Sequence, residues 1–280
     1  MGETAGFAEG PAVRMALAIA TAELRDAGCD TPRLDAELLL ADAIGATRTA
    51  LHLAPERELT DAESQRFARL LARRRAREPM AYVLGKRAFR YIELTVDDRV
   101  LVPRPESEGL VEAALGLPVG ARVVDVGTGS GAIALALKHE RPDLTVVGAD
   151  MSADALAVAR ANADALGLDV TFVHGDLLDP VGGALDAVLS NPPYVAKRDL
   201  ETLAPEVIAE PDMAVFGGHD GFEIVRRLVP AAVARAPLVA LEIGFGMAGT
   251  VGGLLKDAGM TEIEIHRDLA GIERVVVGRR

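Results

Sequence analysis

The sequence has few of the residues that characterise secreted, metal-binding or membrane proteins. It has no tryptophan and a single cysteine, Cys29, so it can form no internal disulfide and no metal site built on several thiolates. No apolar run reaches the ~18 residues of a membrane-spanning helix. The first residues, Met-Gly-Glu-Thr, lack the basic and then apolar stretch of a secretory signal. Together these absences predict a cytoplasmic protein with no membrane contact and no metal ion.

Positive charge is also scarce. The chain carries a formal net charge of −12, whereas proteins that bind nucleic acids nonspecifically present a basic surface that displaces counterions from phosphates. We therefore expect that no direct contact with nucleic acid is required. One basic cluster stands out, formed by Arg66, Arg69, Arg73, Arg74, Arg75 and Arg77. We interpret it as a solvated helix face, with a docking surface for an acidic partner or RNA as the alternative.

Three segments can be distinguished along the chain. Half of the 280 residues are apolar, enough to bury a sizeable core. Residues 1–80 show helical periodicity, with Pro32 opening a helix and Thr60 and Glu63 forming a capping box, so they are predicted to form a small helical domain. Residues 81–105 contain strand-like runs at 82–85, 89–96 and 100–102 and are interpreted as a β-hairpin and connector.

Residues 106–280 alternate between strand and helix patterns. Strands are predicted at 122–126, 145–149, 170–173, 185–190, 238–243, 262–266 and 273–277, and helices at 106–115, 132–139, 152–166, 221–234 and 248–258. Such alternation is typical of an α/β fold with a mostly parallel sheet and helices on both faces. The last two strands are joined by too few residues for a helical crossover, so this pair is expected to be antiparallel.

A glycine-rich turn follows the first strand of this segment. It consists of Gly127, Thr128, Gly129, Ser130 and Gly131 and leads directly into a predicted helix. Glycines there let the backbone approach a ligand closely and adopt positive φ, and the helix start offers free N–H groups. The turn also satisfies the loose dinucleotide-binding pattern, so by itself it does not identify the ligand. A tight turn without a ligand is the plainer alternative.

Acidic residues follow the next two strands. Asp150 ends the second strand, where a carboxylate can accept hydrogen bonds from both ribose hydroxyls of a nucleoside. Asp176 follows the third strand and could reach an adenine amino group, while Leu177 covers the ring. The alternatives are a helix cap for Asp150 and a turn aspartate for Asp176. These residues fit S-adenosylmethionine and a nicotinamide dinucleotide equally well.

The fourth strand ends in a tetrapeptide that separates these two cofactors. In Asn191, Pro192, Pro193 and Tyr194, the two prolines fix a rigid turn and remove two N–H donors. The Asn191 side-chain oxygen and the Pro192 carbonyl are then acceptors for the two hydrogens of a planar –NH2 group, on which Tyr194 can stack. Holding both hydrogens aims a weakly nucleophilic nitrogen at an electrophilic methyl group. Hydride transfer has no use for this acceptor pair, so methyl transfer is favoured over an oxidoreductase or a non-catalytic binding module.

At this point the residues resemble a known family. Asp125-Val-Gly-Thr-Gly-Ser-Gly131 with Asn191-Pro-Pro-Tyr194 is similar to class I (Rossmann-like) methyltransferases that modify amide or amino nitrogens. Further segments resemble HemK/PrmC, the release factor glutamine methyltransferases. These segments are Arg33–Leu39, Pro79–Gly85, Val102–Glu108, Glu210-Pro211 and Gly217–Gly221. The resemblance extends from about residue 11 to residue 280.

The resemblance implies a specific reaction and partner. A methyl group from S-adenosyl-L-methionine would go to the glutamine side-chain nitrogen in the Gly-Gly-Gln motif of peptide chain release factors. The helical domain would help to bind the release factor, and Asn191 would also lie near the methionine part of the cofactor. The same chemistry on a ribosomal-protein glutamine or a nucleic-acid adenine is the alternative acceptor. Two departures, Ala88–Tyr91 at the hairpin and Met247 in place of a common Gln, leave the details of release factor docking open.

Overall fold

The computed structural model describes residues 10–280, so the predicted absence of a secretory signal concerns residues outside the described part. The chain forms two compact units, one ending at Gly85 and the other comprising Lys86–Arg280. The first unit is helical. Its helices are α1 (Val13–Asp26), α2 (Pro32–Ile44), α3 (Arg48–Leu53), α4 (Asp61–Arg75) and α5 (Met80–Leu84).

The helices of this unit begin where local chemistry favours a helix start. Pro32 occupies the first turn of α2, where a missing N–H costs nothing. The predicted capping box at α4 is present, since Thr60 Oγ1 accepts from Glu63 N and Glu63 Oε2 accepts from Thr60 N. The apolar faces of α1, α2 and α4 meet in one core, which includes Leu24, Leu39 and Phe67.

The arginine cluster is largely engaged inside this unit. Its ion pairs are Arg66 with Asp42, Arg73 with Glu78, Arg74 with Asp35 and Arg75 with Glu23, and Arg77 donates to the Ala27 carbonyl. Arg74 and Asp35 are both buried, at an N–O distance of 2.8 Å. Arg69 is exposed, and it forms no ion pair within residues 10–280. Most of the cluster therefore joins helices within the unit.

Two of the three strand predictions for residues 81–105 are wrong, and the third, 89–96, is interrupted by a turn at residues 90–91. Residues 82–84 belong to α5, which follows Pro79 and ends at Gly85, whose φ of 71° is the left-handed conformation of a helix C-cap. A short apolar run in the sequence does not distinguish a buried helix from a strand. Here Tyr82 and Val83 are buried as part of a helix. Residues 100–102 lie in irregular backbone ahead of Pro103.

A β-hairpin opens the second unit. Its strands are β1 (Lys86–Phe89) and β2 (Ile92–Thr95), which pair antiparallel. Arg90 in the turn has a φ of 48°, a left-handed conformation that is uncommon outside glycine. Its guanidinium pairs with Glu140, and this ion pair anchors the turn. In the segment that departs from the family, Ala88–Tyr91, an arginine therefore takes the left-handed conformation in the turn.

The rest of the second unit contains the predicted alternation. Its helices are α6 (Glu108–Leu115), α7 (Ala132–Glu140), α8 (Ala153–Leu166), α9 (Pro205–Ile208), α10 (Asp212–Val215), α11 (Glu223–Val233) and α12 (Ala248–Asp257). Its strands are β3 (Arg122–Val126), β4 (Thr145–Asp150), β5 (Thr171–His174), β6 (Ala187–Ser190), β7 (Leu238–Glu242), β8 (Glu262–Arg267) and β9 (Glu273–Arg279). The helix predicted from Glu106 begins two residues later, after a 3-10 turn at Pro105–Ser107.

The seven strands form one sheet in the order β5-β4-β3-β6-β7-β9-β8. Neighbours from β5 to β7 run parallel, whereas β9 is antiparallel to both β7 and β8, as expected for the short final connection. Consecutive residues of the central strands are buried, for example Val123 and Val124, so both faces of the sheet are covered. The α/β fold with a class I methyltransferase sheet is confirmed. Among residues 10–280, no helix is both long and apolar enough to cross a bilayer.

Candidate active site

The residues singled out from the sequence follow four neighbouring strands. The turn at Gly127 follows β3, Asp150 ends β4, Asp176 follows β5 and Asn191 follows β6. Strands β3 and β6 pair side by side, with Val126 opposite Ser190, although they are not consecutive in sequence. The chain order reverses at this point, and a crevice forms there at the carboxyl ends of the strands.

The glycine turn has the backbone conformation expected from its composition. Gly127, Gly129 and Gly131 have φ of 72°, 55° and 84°. A Cβ on Gly131 would approach Leu135 and Ala159 within 3.3 Å, so glycine also allows α7 and α8 to pack closely. Thr128 is buried and donates through Oγ1 to Asp125 Oδ2 at 2.6 Å. Burial raises the pKa of the Asp125 carboxyl to about 7.

Asp150 holds the turn in place from the next strand. Its Oδ2 accepts from Gly129 N and its Oδ1 accepts from Ser152 N, both at 2.9 Å. The predicted cap of α8 is supplied by Ser152, whose Oγ accepts from Ala155 N. Each carboxylate oxygen of Asp150 keeps a second lone pair, and the residue borders a cleft. It is therefore placed to accept hydrogen bonds from a ligand as well.

Asp176 and Leu177 lie beside the same cleft. Asp176 also forms an ion pair with Arg227 of α11. Its carboxylate would therefore interact with both this arginine, which the sequence did not indicate, and a ligand in the cleft. Leu177 adopts a φ of 47°. A branched aliphatic residue in the left-handed region is uncommon, and such conformations concentrate at ligand sites.

The tetrapeptide presents the expected acceptors. Asn191 Nδ2 donates to Ser107 Oγ at 3.1 Å. Neither Asn191 Oδ1 nor the Pro192 carbonyl accepts a hydrogen bond from any residue between 10 and 280. Ser190 Oγ, one residue earlier, donates to the Val126 carbonyl at 2.7 Å and ties the end of β6 to β3. Two acceptors thus remain available at the edge of the cleft.

Tyr194 is partly buried against the core of the second unit. Burial raises the pKa of its phenol to about 12, and the nearby Glu242 adds to the shift. The ring lies against Gly244, where an added Cβ would come within 3.0 Å of Tyr194 Cδ2. Met247, one of the departures from the family, is buried in the same core, so this change lies close to the tetrapeptide.

Two adjoining pockets meet at the tetrapeptide. The larger is bordered by Gly127, Asp150, Asp176, Leu177, Asn191, Pro192 and Pro193. Thr128, Gly129, Ser130 and Gly131 do not border it. The smaller is bordered by Tyr194, Arg104 and Val207, among others. Leu101, Asn191, Pro193 and Ala214 border both pockets and form the wall between them.

The loop after β6 supports the tetrapeptide from behind. Val195 N donates to the Val215 carbonyl, and Gly217 N donates to the Val195 carbonyl. An added Cβ on Gly217 would collide with the Pro193 carbonyl oxygen, and one on Gly221 would collide with that of Tyr194. Both glycines are therefore required by the close approach of two backbone segments.

Several contributors to the site were not identified from the sequence as site residues. Arg104 forms an ion pair with the buried Glu210, which joins the segment before α6 to the loop before α10. Ser107 and Glu242 are buried behind Asn191, and burial raises the pKa of the Glu242 carboxyl to about 7. Buried polar residues have no sequence signal of their own, although Arg104, Ser107 and Glu210 belong to the segments that carried the resemblance.

Two family models match the chain. The PrmC N-terminal domain matches residues 15–85, and the methyltransferase small domain matches residues 107–216. The release factor glutamine methyltransferase of Rhodospirillum rubrum is 42% identical over 265 residues, which cover 92% of this chain and 82% of the relative. The protein of the same name from Deinococcus radiodurans is 42% identical over 275 residues, covering 96% and 98%.

A solved structure shares the fold. It is the hMettl16 catalytic domain in complex with MAT2A 3'UTR hairpin 6, with a TM-score of 0.56 and 15% identity. The superposition covers 75% of this chain and 81% of that one. At this identity the likeness concerns the methyltransferase fold alone.

Proposed function

The chain belongs to the release factor glutamine methyltransferase family, and from this premise we propose that it methylates the side-chain amide nitrogen of the glutamine in the Gly-Gly-Gln motif of peptide chain release factors. The methyl donor is S-adenosylmethionine. The proposal draws its main structural support from the pair of available acceptors, Asn191 Oδ1 and the Pro192 carbonyl. Both residues border the larger pocket, and Asn191 also borders the smaller one.

The lining of the larger pocket suits the chemistry of the cofactor. Asp150 provides a carboxylate for the ribose hydroxyls, and Leu177 provides an apolar surface for the adenine. Gly127 borders the pocket, and because it has no side chain a ligand can approach its backbone closely. We propose that Gly127 to Gly131, Asp150, Asp176, Leu177 and Asn191 hold the cofactor, with Thr128 and Ser130 acting from behind the turn. S-adenosylmethionine, when bound, supplies an electrophilic methyl group.

The smaller pocket is proposed to admit the glutamine side chain. Its walls are mainly apolar, which suits the aliphatic stem, and Asn191 and Pro193 lie where the stem would end in the amide. Asn191 Oδ1 and the Pro192 carbonyl each accept one amide hydrogen, so the nitrogen is held and oriented. Tyr194 keeps its proton at neutral pH, since a phenol ordinarily titrates near 10 and burial raises the pKa of this one to about 12. It is therefore not a base, and we propose that its ring packs on the amide. The substrate proton can leave after the methyl arrives.

The first unit is proposed to help bind the release factor. It contains the match to the PrmC N-terminal domain, and α5 extends the proposed helical domain from residue 80 to Gly85. The hairpin and the residues up to 105 belong to the second unit. We propose residues 106–280 of that unit as the catalytic domain. Since release factors act on cytoplasmic ribosomes, we also propose a cytoplasmic location.

Transfer of labelled methyl from S-adenosylmethionine tests the proposal. We expect label on the Gly-Gly-Gln glutamine of purified release factor, located by mass spectrometry, and none on a release factor with alanine at that position. Ribosomal protein and DNA are incubated in parallel. Label on either of these, with none on the release factor, would replace the proposed acceptor while leaving the chemistry unchanged.

Substitution of Asp150 by alanine should weaken cofactor binding by about 100-fold or more. Each hydrogen bond to a charged group is worth ~1.5–3 kcal/mol, and the ribose would lose two. Isothermal titration calorimetry measures the effect. Asp169→Ala is the matched control, because Asp169 is an exposed aspartate outside the pocket. Equal affinity in the two variants would remove Asp150 from the cofactor site.

A further inference from the structure

Three polar side chains form a chain of hydrogen bonds behind the tetrapeptide. Asn191 Nδ2 donates to Ser107 Oγ at 3.1 Å, and Ser107 Oγ donates to Glu242 Oε2 at 2.5 Å. They come from three separate places in the sequence: the end of β6, the turn before α6 and the end of β7. Ser107 is 4% exposed and Glu242 is 2% exposed, so water does not compete for these bonds.

The number of hydrogens on these side chains determines which group donates in each of the two hydrogen bonds. A serine hydroxyl has one hydrogen, and a carboxylate has only acceptors, so Ser107 must donate to Glu242. Ser107 then has only lone pairs to offer Asn191. The asparagine amide must therefore turn its NH2 towards Ser107 and its oxygen towards the pockets. With the opposite amide orientation, two acceptor oxygens would face each other in a buried position, which is costly.

We propose that Ser107 and Glu242 are positioning residues that hold the Asn191 carboxamide with its oxygen facing the acceptor glutamine. They contact neither pocket, so they act through Asn191. The inference rests on the proposed function, since it assigns a cause to the orientation of the acceptor on which that function depends. Without the pair, the amide can rotate, and in half of its orientations an NH2 group meets the NH2 of the substrate.

The direction of these hydrogen bonds requires the carboxylate form of Glu242, so the pH of the assay has to be chosen for it. Burial, with a smaller contribution from Glu106, raises the pKa of Glu242 to about 7, whereas the hydrogen bond from Ser107 and the charges of Arg274 and Arg104 oppose the shift. Tyr194 also faces the carboxylate, as a neutral phenol. Measurements at pH 8 lie above the pKa of Glu242, so the carboxylate form that accepts from Ser107 predominates.

Nuclear magnetic resonance can report the orientation without any substrate. The chain has only two asparagines, Asn162 and Asn191, so selective 15N-asparagine labelling gives two side-chain NH2 signals. Asn162 donates to the Thr95 and Ser130 carbonyls and serves as the internal reference. Ser107→Ala should shift the Asn191 pair and speed its hydrogen exchange about tenfold, while the Asn162 pair stays in place. Ser107→Thr keeps the hydroxyl and should restore the wild-type signal. An unchanged Asn191 pair in Ser107→Ala would overturn the proposal.

Kinetics provide the second test. Ser107→Ala should lower kcat about tenfold with an unchanged cofactor Kd, and Ser107→Thr should recover most of kcat. Glu242→Gln keeps an oxygen to accept from Ser107 and should retain more activity than Glu242→Met, which does not. Wild-type kcat in Ser107→Ala, or an equal loss in the alanine and threonine variants, would contradict the positioning role. If the wild-type enzyme leaves release factors unmethylated, the proposed function fails, and the resonance measurement still decides the orientation.

Discussion

Replacing Asn191 by alanine is expected to lower kcat for methyl transfer by about 100- to 1000-fold, the range seen when a preorganised group that contacts the reacting centre is removed. The variant loses one of the two acceptors that orient the substrate nitrogen, whereas the Pro192 carbonyl remains. Cofactor affinity should decrease only modestly, because Asp150 and the glycine turn are unaltered. Single-turnover kinetics with labelled cofactor and release factor measure the change.

Calorimetry with the cofactor and the melting temperature are the controls for this variant. They separate loss of the acceptor from loss of the fold, since Asn191 also donates to Ser107. Turnover close to that of the wild type, at intact cofactor affinity, would show that the amide nitrogen is oriented by other groups. A parallel collapse of cofactor binding would instead assign Asn191 mainly to the cofactor.

Replacing Gly221 by alanine should destabilise the protein by about 2–5 kcal/mol and abolish most of its activity. A left-handed backbone costs a non-glycine residue roughly 1–2 kcal/mol, and overpacking adds typically 1–3 kcal/mol. At Gly221 the φ is 83°, and the new Cβ would collide with the Tyr194 carbonyl oxygen. Relief of that collision moves the backbone of the tetrapeptide. Urea denaturation and kcat measure the two effects.

Gly271→Ala is the matched control for this prediction. Gly271 has a φ of 79° and no atom within 4 Å of the position of an added Cβ. It therefore incurs the backbone cost of roughly 1–2 kcal/mol without a collision, and it lies in the turn between β8 and β9, away from the tetrapeptide. Equal stability and equal activity in the two variants would show that contact with Tyr194 is unimportant.

The features that the sequence could predict are those that local patterns encode. Each predicted strand from residue 122 onward is present, and its bounds lie within two residues of the expected ones. The glycine turn and the tetrapeptide were recognisable because glycine and proline restrict the backbone in known ways. Since carboxyl ends of parallel strands share one edge, the strand assignment also predicted that Asp150 and Asn191 lie on the same side of the sheet.

The features that escaped prediction depend on contacts distant in sequence. Residues 82–84 were assigned to a strand because a short apolar run does not reveal its partners. The interaction between Ser107 and Glu242 spans 135 residues, and neither side chain has a local pattern that marks it as a contributor to the site. The arginines of α4 resemble a free basic face in sequence, and their partners on α1 and α2 become visible only in the packed unit.

The wall between the two pockets has an evolutionary consequence. Four residues border both pockets, whereas Val207 and Val215 border only the smaller one. On the proposed assignment, mutation at these two valines changes the fit to the acceptor and leaves the donor side intact. Descendants of such an enzyme can therefore diverge in the proteins they modify, one substitution at a time, while every intermediate still binds the same methyl donor.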